Sequence, residues 1–433
     1  METNLFDVAA ILVLLAAGFG LFNHHVLRLP FTIGLTVSGL VASGGVLLLD
    51  ALVPQLGLGS GVRAAVEGFD FYEFLMHGAL SILLFGGALH VNLNDLLERK
   101  GTVLTLALVG VLISTCIVGF GSWYIFDWVG LEVPLKNCLV FGALISPTDP
   151  VAVLGIMTSV GAPKGLETKV AGESLFNDGI GVVVFSVLLL VANGGGGIDA
   201  WAVAELFARE VAGGVLLGLV CGYATYRAMK TLDEPNLEIL LSVALVLGMS
   251  LVAFKVHTSA PLACVVAGLF IGNHGRHFAM TQPSREALDL IWSFIDQTFN
   301  AVLFLLVGLE VVRVQFEAAM LIGALLLVPW TLLARWISVL VPISILKLGR
   351  DFSPGVVKVL TWGGLKGGIS VALAIYLFRK DFHFQGREAI LAATYAVVIF
   401  SIIVQGMTIG PLIRKVVPSE RVRESRQETH GVL

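Results

Sequence analysis

Charge is scarce in this chain. Of its 433 residues only 13% are Asp, Glu, Lys or Arg, about half the roughly 25% of an ordinary soluble domain. A chain of this length with so few charges cannot cover its surface for water. Cysteine is scarce as well. Cys116, Cys138, Cys221 and Cys264 stand in apolar surroundings without CxxC spacing, which argues against metal or redox work and reads as buried, inert thiols. The basic residues form no face, so a nucleic-acid partner is excluded. There is no HExxH, no phosphate loop and no nucleophile–base pair, so neither an enzyme nor a cofactor is expected. The short alternating segments of a membrane barrel are missing too. The N-terminal stretch METNLFDVAAILVLL lacks a basic leader region and a small-residue cleavage site, and reads as a retained first helix rather than a signal peptide.

What the chain has is apolar length. Hydrophobic residues make up 57% of it, with a mean hydropathy of +0.91. Apolar runs of roughly 20 residues recur, the length a helix needs to cross about 30 Å of hydrocarbon. The reading is an all-α polytopic protein of the lipid bilayer with thirteen candidate spans. They lie near 6–24, 31–49, 70–91, 102–125, 135–158, 168–192, 201–228, 237–256, 259–273, 287–312, 317–346, 355–379 and 388–413. The basic residues test this count. With the loops numbered alternately, the odd loops and the tail hold seventeen Lys and Arg and the even loops seven. The positive-inside rule then puts the C-terminus in the cytoplasm and the N-terminus outside, which requires an odd number of spans.

The glycine run 194–197 breaks the chain after the sixth span. Six spans, a connector and six more spans give two halves of opposite orientation, the arrangement of inverted-repeat transporters. Such halves should be interrupted at matching places. Span five is interrupted by Ser146-Pro147-Thr148-Asp149-Pro150, and span twelve, its counterpart, by Trp362-Gly363-Gly364-Leu365-Lys366-Gly367-Gly368. The tail after Pro418 is short and charged, and reads as solvated.

Pro147 and Pro150 have no backbone N–H. They leave the carbonyls of Ala143 and Ser146 without helical partners and turn Ser146 and Asp149 away from helical angles. The helix should unwind near Thr148, and irregular backbone at membrane depth is tolerated only where it is buried or lines a wet cavity. Free carbonyls and the Thr148 hydroxyl are hard oxygen ligands that suit a small cation. Asp149, just before Pro150, reads either as a cap that neutralises a half-helix dipole or as a direct ligand of the ion. In span six, Ser174 and Asp178 are four residues apart; so are Glu173 and Asn177, rotated by about 100° from the first pair. Asp178 and Ser174 can thus face a cation together while Glu173 and Asn177 hold each other beside them. A carboxylate at mid-bilayer costs roughly 2.5–3.5 kcal/mol, so Asp149, Glu173 and Asp178 need a cation, a proton or a buried base. Lys366 is the base near the middle of a span, Arg335 being the other candidate. Lys366 is expected to pair with Glu173, leaving Asp178 as the group whose partner changes; a snorkelling lysine is the alternative. Asp296 and Asn300, four apart in span ten, read as a structural hydrogen bond, with a funnel-facing role as the alternative.

Three ordered segments resemble the signature of a known family: Pro147-Thr148-Asp149-Pro150-Val151-Ala152-Val153, Gly172-Glu173-Ser174-Leu175-Phe176-Asn177-Asp178 and Trp362-Gly363-Gly364-Leu365-Lys366-Gly367. They are similar to the monovalent cation:proton antiporter family, in its sodium/proton exchanger branch of NhaP type. Leu305-Leu306-Val307-Gly308-Leu309-Glu310 fits a further segment. The resemblance implies a homodimer in a prokaryotic inner membrane that exchanges Na⁺ or Li⁺ for H⁺ by an elevator movement, one cation for one proton. It implies a dimerisation scaffold over 1–100 and 194–316 (spans 1–3 and 7–10), an ion-translocating core over 101–193 and 317–413 (spans 4–6 and 11–13), and a cytoplasmic tail over 414–433. It implies Asp178 as the ion- and proton-binding carboxylate, with Ser174, Glu173 and the Thr148 carbonyl around Na⁺. Asp149 supports the crossing half-helices, and Asn177, Pro150 and Lys366 stand in supporting positions. The motif usually has arginine where this chain has Lys366. A buried lysine can release a proton and an arginine cannot, so Lys366 raises the question of a second proton carrier. K⁺/H⁺ exchange on the same scaffold stays open, because hard oxygen ligands serve both ions. A pH-gated cation channel is disfavoured, because the polar groups cluster at one depth instead of lining a continuous path.

Overall fold

The computed structural model describes residues 5–53, 71–162, 164–194, 200–314, 317–346, 355–379, 382 and 384–416. The glycine run beyond Gly194 and the tail after Pro418 lie outside the described residues. Every regular element among those described is helical. We label the helices that matter below α1 (Leu5–Phe22), α2 (Phe31–Leu52), α3 (Leu80–Leu89), α4 (Val111–Trp128), α5 (Leu135–Ile145), α6 (Val151–Ser159), α7 (Lys164–Asn193), α8 (Ala200–Met229), α9 (Pro235–Val256) and α10 (Ala260–Phe270). The chain continues through α11 (Gln282–Leu309), α12 (Ala318–Leu346), α13 (Val356–Trp362), α14 (Gly368–Tyr376), α15 (Arg387–Phe400) and α16 (Gly406–Val416).

Among the described residues, eight helical stretches are long and apolar enough to cross a membrane by length and composition. They match eight of the thirteen spans expected from the sequence and leave out those near 70–91, 135–158, 201–228, 259–273 and 355–379, of which the second and the fifth are left out for a physical reason. α5 with α6, and α13 with α14, are each one span broken in the middle, and neither half is long enough alone. Large apolar side chains such as Leu14, Leu48, Trp128, Leu216 and Leu290 point outward, as expected of helices whose solvent is hydrocarbon.

Lipid gives apolar helices no hydrophobic reason to associate, so close packing of small residues must hold them. Gly142 lets α5 approach α4 so closely that a Cβ there would stand 2.2 Å from the Thr115 carbonyl oxygen. Where α2 meets α11, a Cβ on Gly308 would stand 2.6 Å from the Thr36 carbonyl oxygen, and the Thr36 hydroxyl donates to the Phe304 carbonyl at 3.1 Å. α4, α5, α7, α12 and α15 pack against one another, as do α3, α8, α9, α10 and α11. The second group buries Phe85, Leu89, Met249, Cys264 and Trp292, and the Trp292 indole N–H donates to the Ser242 hydroxyl at 2.9 Å. Cys138 and Cys264 are buried free thiols as expected. Cys221 is half-buried and Cys116 is exposed, because position 116 lies on the outer side of α4, away from the Thr115 contact with α5.

Candidate functional site

The two interrupted spans meet. α5 stops at Ile145 and α6 starts at Val151; α13 stops at Trp362 and α14 starts at Gly368. Between the ends the chains cross, and the Asp149 N–H donates to the Leu365 carbonyl at 2.8 Å. Gly367 permits the crossing, since a Cβ there would sit 2.5 Å from Asp149 Oδ2. The Lys366 N–H is held by the Ser401 hydroxyl at 2.8 Å, and the Gln405 amide donates to the Trp362 carbonyl at 2.9 Å.

The break exposes helix ends, and charged side chains cover them. Asp149 Oδ1 accepts the Val151 N–H at 2.9 Å, so Asp149 caps the positive end of α6. The Lys366 ammonium donates to the Ser146 carbonyl at 2.9 Å and to the Pro147 carbonyl at 3.2 Å. It therefore sits on the negative end of α5, where a cation is favourable. The Ser146 carbonyl that Pro150 deprives of its helical partner is thus satisfied, with the Asn177 amide also near it at 3.4 Å. The Ala143 carbonyl, deprived by Pro147, accepts the Ser146 N–H at 3.2 Å.

Lys366 does not pair with Glu173 as the sequence reading expects. Arg335, from the middle of α12, holds Glu173 by both oxygens, at 2.6 and 2.8 Å, and also donates to the Leu360 carbonyl at 3.1 Å. Both side chains are buried. The planar guanidinium fork matches a carboxylate where a single ammonium does not, which leaves the lysine for the carbonyls. Arg335 belongs to none of the recognised segments. Its one signal in the sequence is a lone base within an apolar run of 29 residues.

The polar face of α7 divides by depth. The Ser174 hydroxyl donates to the Thr148 carbonyl. The Asn177 amide donates to the Thr148 hydroxyl at 3.2 Å and lies 3.5 Å from Glu173 Oε1. Glu173, Ser174 and Asn177 are therefore packed behind the break. Asp178 is different. It is 5% exposed and accepts the Thr148 N–H, but its Oδ1 has no hydrogen-bond partner among the described residues, and neither has Asn177 Oδ1. Asp178 lines a cavity of about 410 Å³ together with Pro147, Thr148, Asp149 and Pro150 of the broken span and with Ser293, Asp296 and Asn300 of α11. Of the expected site residues the structure thus brings Thr148, Asp149, Pro150 and Asp178 onto one cavity wall, and Ser174, Glu173, Asn177 and Lys366 directly behind it. An unpartnered carboxylate oxygen on the wall of a cavity, beside the carbonyls of a broken helix, is a setting that accepts a small cation or a proton. Glu310, at the far end of α11, is fully buried and held by Arg313 at 2.5 Å.

Known proteins share this architecture. The chain is 42% identical over 426 residues to the Na(+)/H(+) antiporter NhaP of Pseudomonas aeruginosa, covering 97% of this chain and 99% of that one. It is 36% identical to the Na(+)/H(+) antiporter NhaH of Halobacillus dabanensis over 78% of this chain and 81% of the relative. The fold is similar to that of the sodium proton antiporter MjNhaP1 of Methanocaldococcus jannaschii, with a TM-score of 0.73 at 18% identity, covering 94% of this chain and 97% of the other. The family model described as "Sodium/hydrogen exchanger, transmembrane" matches residues 11–415. The chain is a multi-pass integral membrane protein and belongs to the sodium/hydrogen exchanger family.

Proposed function

We propose that the protein exchanges Na⁺, or Li⁺, for H⁺ by competition at Asp178. One contrast carries this reading. Glu173 is held by Arg335 through both oxygens and Lys366 by two carbonyls, while Asp178 keeps an oxygen without a hydrogen-bond partner among the described residues on the cavity wall; Asp149, on the same wall, is tied to the start of α6 through one oxygen. Deprotonated Asp178 binds the cation with oxygens of the Thr148 region; protonated Asp178 binds none. Either occupant neutralises the carboxylate, and a neutral site crosses an apolar barrier far more cheaply than a charged one. The empty, charged site is penalised, which couples the two ions. The relatives named as Na(+)/H(+) antiporters support the choice of ions.

The rest of the reading follows from the same geometry. The cavity lies toward the ends of α7 and α11 that carry Lys169 and Arg285, so by the positive-inside rule it faces the cytoplasm. On the opposite side Tyr72 stacks on Tyr376 at 3.6 Å, and Glu73 pairs with Arg379 at 2.9 Å. That seal joins the proposed scaffold (1–100, 194–316) to the proposed core (101–193, 317–413). An elevator step of the core would open it and close the cavity. The proposal treats Lys366 as a fixed cation, because the carbonyls at the C-terminal end of α5 that it covers favour its charged form, and one-for-one, electroneutral exchange is the corresponding expectation. The homodimer and the prokaryotic inner membrane belong to the same proposal.

The test is Asp178→Asn in proteoliposomes. The variant should remain folded and lose pH-driven Na⁺ exchange, whereas in the unmodified protein apparent Na⁺ affinity should rise with pH as protons stop competing. Retained pH-dependent Na⁺ transport in the folded variant contradicts the proposal.

A further inference from the structure

Resting on the reading that Asp178 binds the exchanged cation, we propose that Asp296, with Ser293 and Asn300, forms a waiting site that collects the cation from the cytoplasmic side before Asp178 takes it. Asp289, Ser293, Asp296 and Asn300 are spaced four, three and four apart on α11, which puts them on one helical face. That face runs from the cavity mouth toward the break, and Ser293, Asp296 and Asn300 line the cavity opposite Asp149 and Asp178. The polar stripe stops at Leu303, which packs so tightly on Gly368 that a Cβ there would lie 2.3 Å from Leu303 Cδ1. A cation that follows the stripe inward therefore stops beside the broken span.

The two carboxylates of the stripe are not equivalent. Asp289, at the mouth, is paired with Arg276, and His90 Nε2 lies 3.6 Å from it. Asp296, two turns deeper, has no ion-pair partner among the described residues. Asn300 is an independent sign that this wall can take a polar ligand. It is 4% exposed, it lines both this cavity and the adjoining one beside Pro30 and Thr32, and its amide nitrogen has no hydrogen-bond partner among the described residues. Asn300 does face the Asp296 carboxylate, as their spacing expects, but not in a geometry that satisfies its amide nitrogen. A side-chain amide turned over presents its oxygen to a cation instead. Gly86 of α3 leaves the space in front of the carboxylate, its hypothetical Cβ being 4.0 Å from Asp296 Oδ1. A negative charge in a narrow cavity with apolar walls raises the local cation concentration.

The experiment measures initial exchange rates against Na⁺ in proteoliposomes for the unmodified protein, Asp296→Asn, Asp296→Glu and Ser293→Lys. Asp296→Asn should raise the apparent KM for Na⁺ about fivefold or more and leave the rate at saturating Na⁺ within about twofold, as loss of a collecting charge rather than of the transport step requires. Added choline chloride should shrink the difference by screening. Asp296→Glu should restore KM. Ser293→Lys, at an exposed position of the same stripe, should raise KM as well and serves if Asp296→Asn is poorly folded. An unchanged KM in both charge variants, a lower saturating rate without a KM change, or a KM difference indifferent to salt overturns the waiting site. Asp178→Asn is run beside them. If it still exchanges, the competition reading falls; if it is inactive while Asp296→Asn and Ser293→Lys keep their KM, only the waiting site falls.

Discussion

Asp178 and Glu173 are five residues apart on one helix, yet their surroundings give them different fates. Glu173 is locked by the Arg335 fork and Asp178 is left with an unpartnered oxygen. Breaking a buried pair by removing one member costs about 3–5 kcal/mol, whereas replacing both by apolar groups is often close to neutral. Glu173→Leu and Arg335→Met should therefore each lower the thermal denaturation temperature in detergent, and the two together should recover most of the loss. Simple additivity of the single effects in the double variant would show that the pair is not coupled. This pairing was not legible in the sequence. Helical spacing places Glu173 beside Asn177 and Ser174 beside Asp178, and it identifies Lys366 as a deep base. It cannot say which base faces which acid across helices distant in the chain. Arg335 and Lys366 were both candidates, and the choice rests on fork geometry and on carbonyls left open by prolines, which appear only when α12 and α14 are set against α7.

At the scale of elements, the breaks themselves were legible. Pro147 and Pro150 remove two N–H groups within one turn, and Gly363, Gly364, Gly367 and Gly368 surround Lys366, so both interruptions follow from local chemistry. That the interruptions touch was expected only from the resemblance. The contact is tight: Asp149 donates to Leu365, and Gly367 lies against the Asp149 side chain. Gly367→Ala would place a Cβ 2.5 Å from Asp149 Oδ2 and 2.8 Å from Asp149 Cβ. Overpacking of this kind costs about 1–3 kcal/mol, and here it also displaces the cap of α6. The variant should show lower thermal stability and slower exchange. Gly155→Ala, on α6 with nothing within 4 Å of the new Cβ, should leave both unchanged and serves as the control. Equal behaviour of the two variants would mean that the crossing point tolerates movement the account denies it.

On the scale of the molecule, membrane class, the order of the helical segments and the polar centre could all be read from composition, apolar length and motif. The cavity could not. It lies between α3, α11 and the broken span, and its walls come from segments more than two hundred residues apart. Asp296 and Asn300 illustrate the difficulty. Their spacing is equally consistent with a bond inside the helix and with a polar wall, and only the neighbouring helices decide. In this structure the cavity opens on one side of the centre and Tyr72 stacks on Tyr376 on the other, an arrangement that the proposed exchange without leak requires. The central claim is that one carboxylate carries Na⁺ and H⁺ in turn while Lys366 keeps its proton. It is tested most directly by the null point of exchange in proteoliposomes, with the voltage set by valinomycin and potassium. Net proton flux is measured while a fixed Na⁺ gradient is opposed by a series of pH gradients. The account predicts that flux vanishes when the Na⁺ and H⁺ concentration ratios are equal, and that this point stays put at every voltage. A null point that shifts with voltage would mean that more than one proton moves per cation, and would contradict exchange at Asp178 alone.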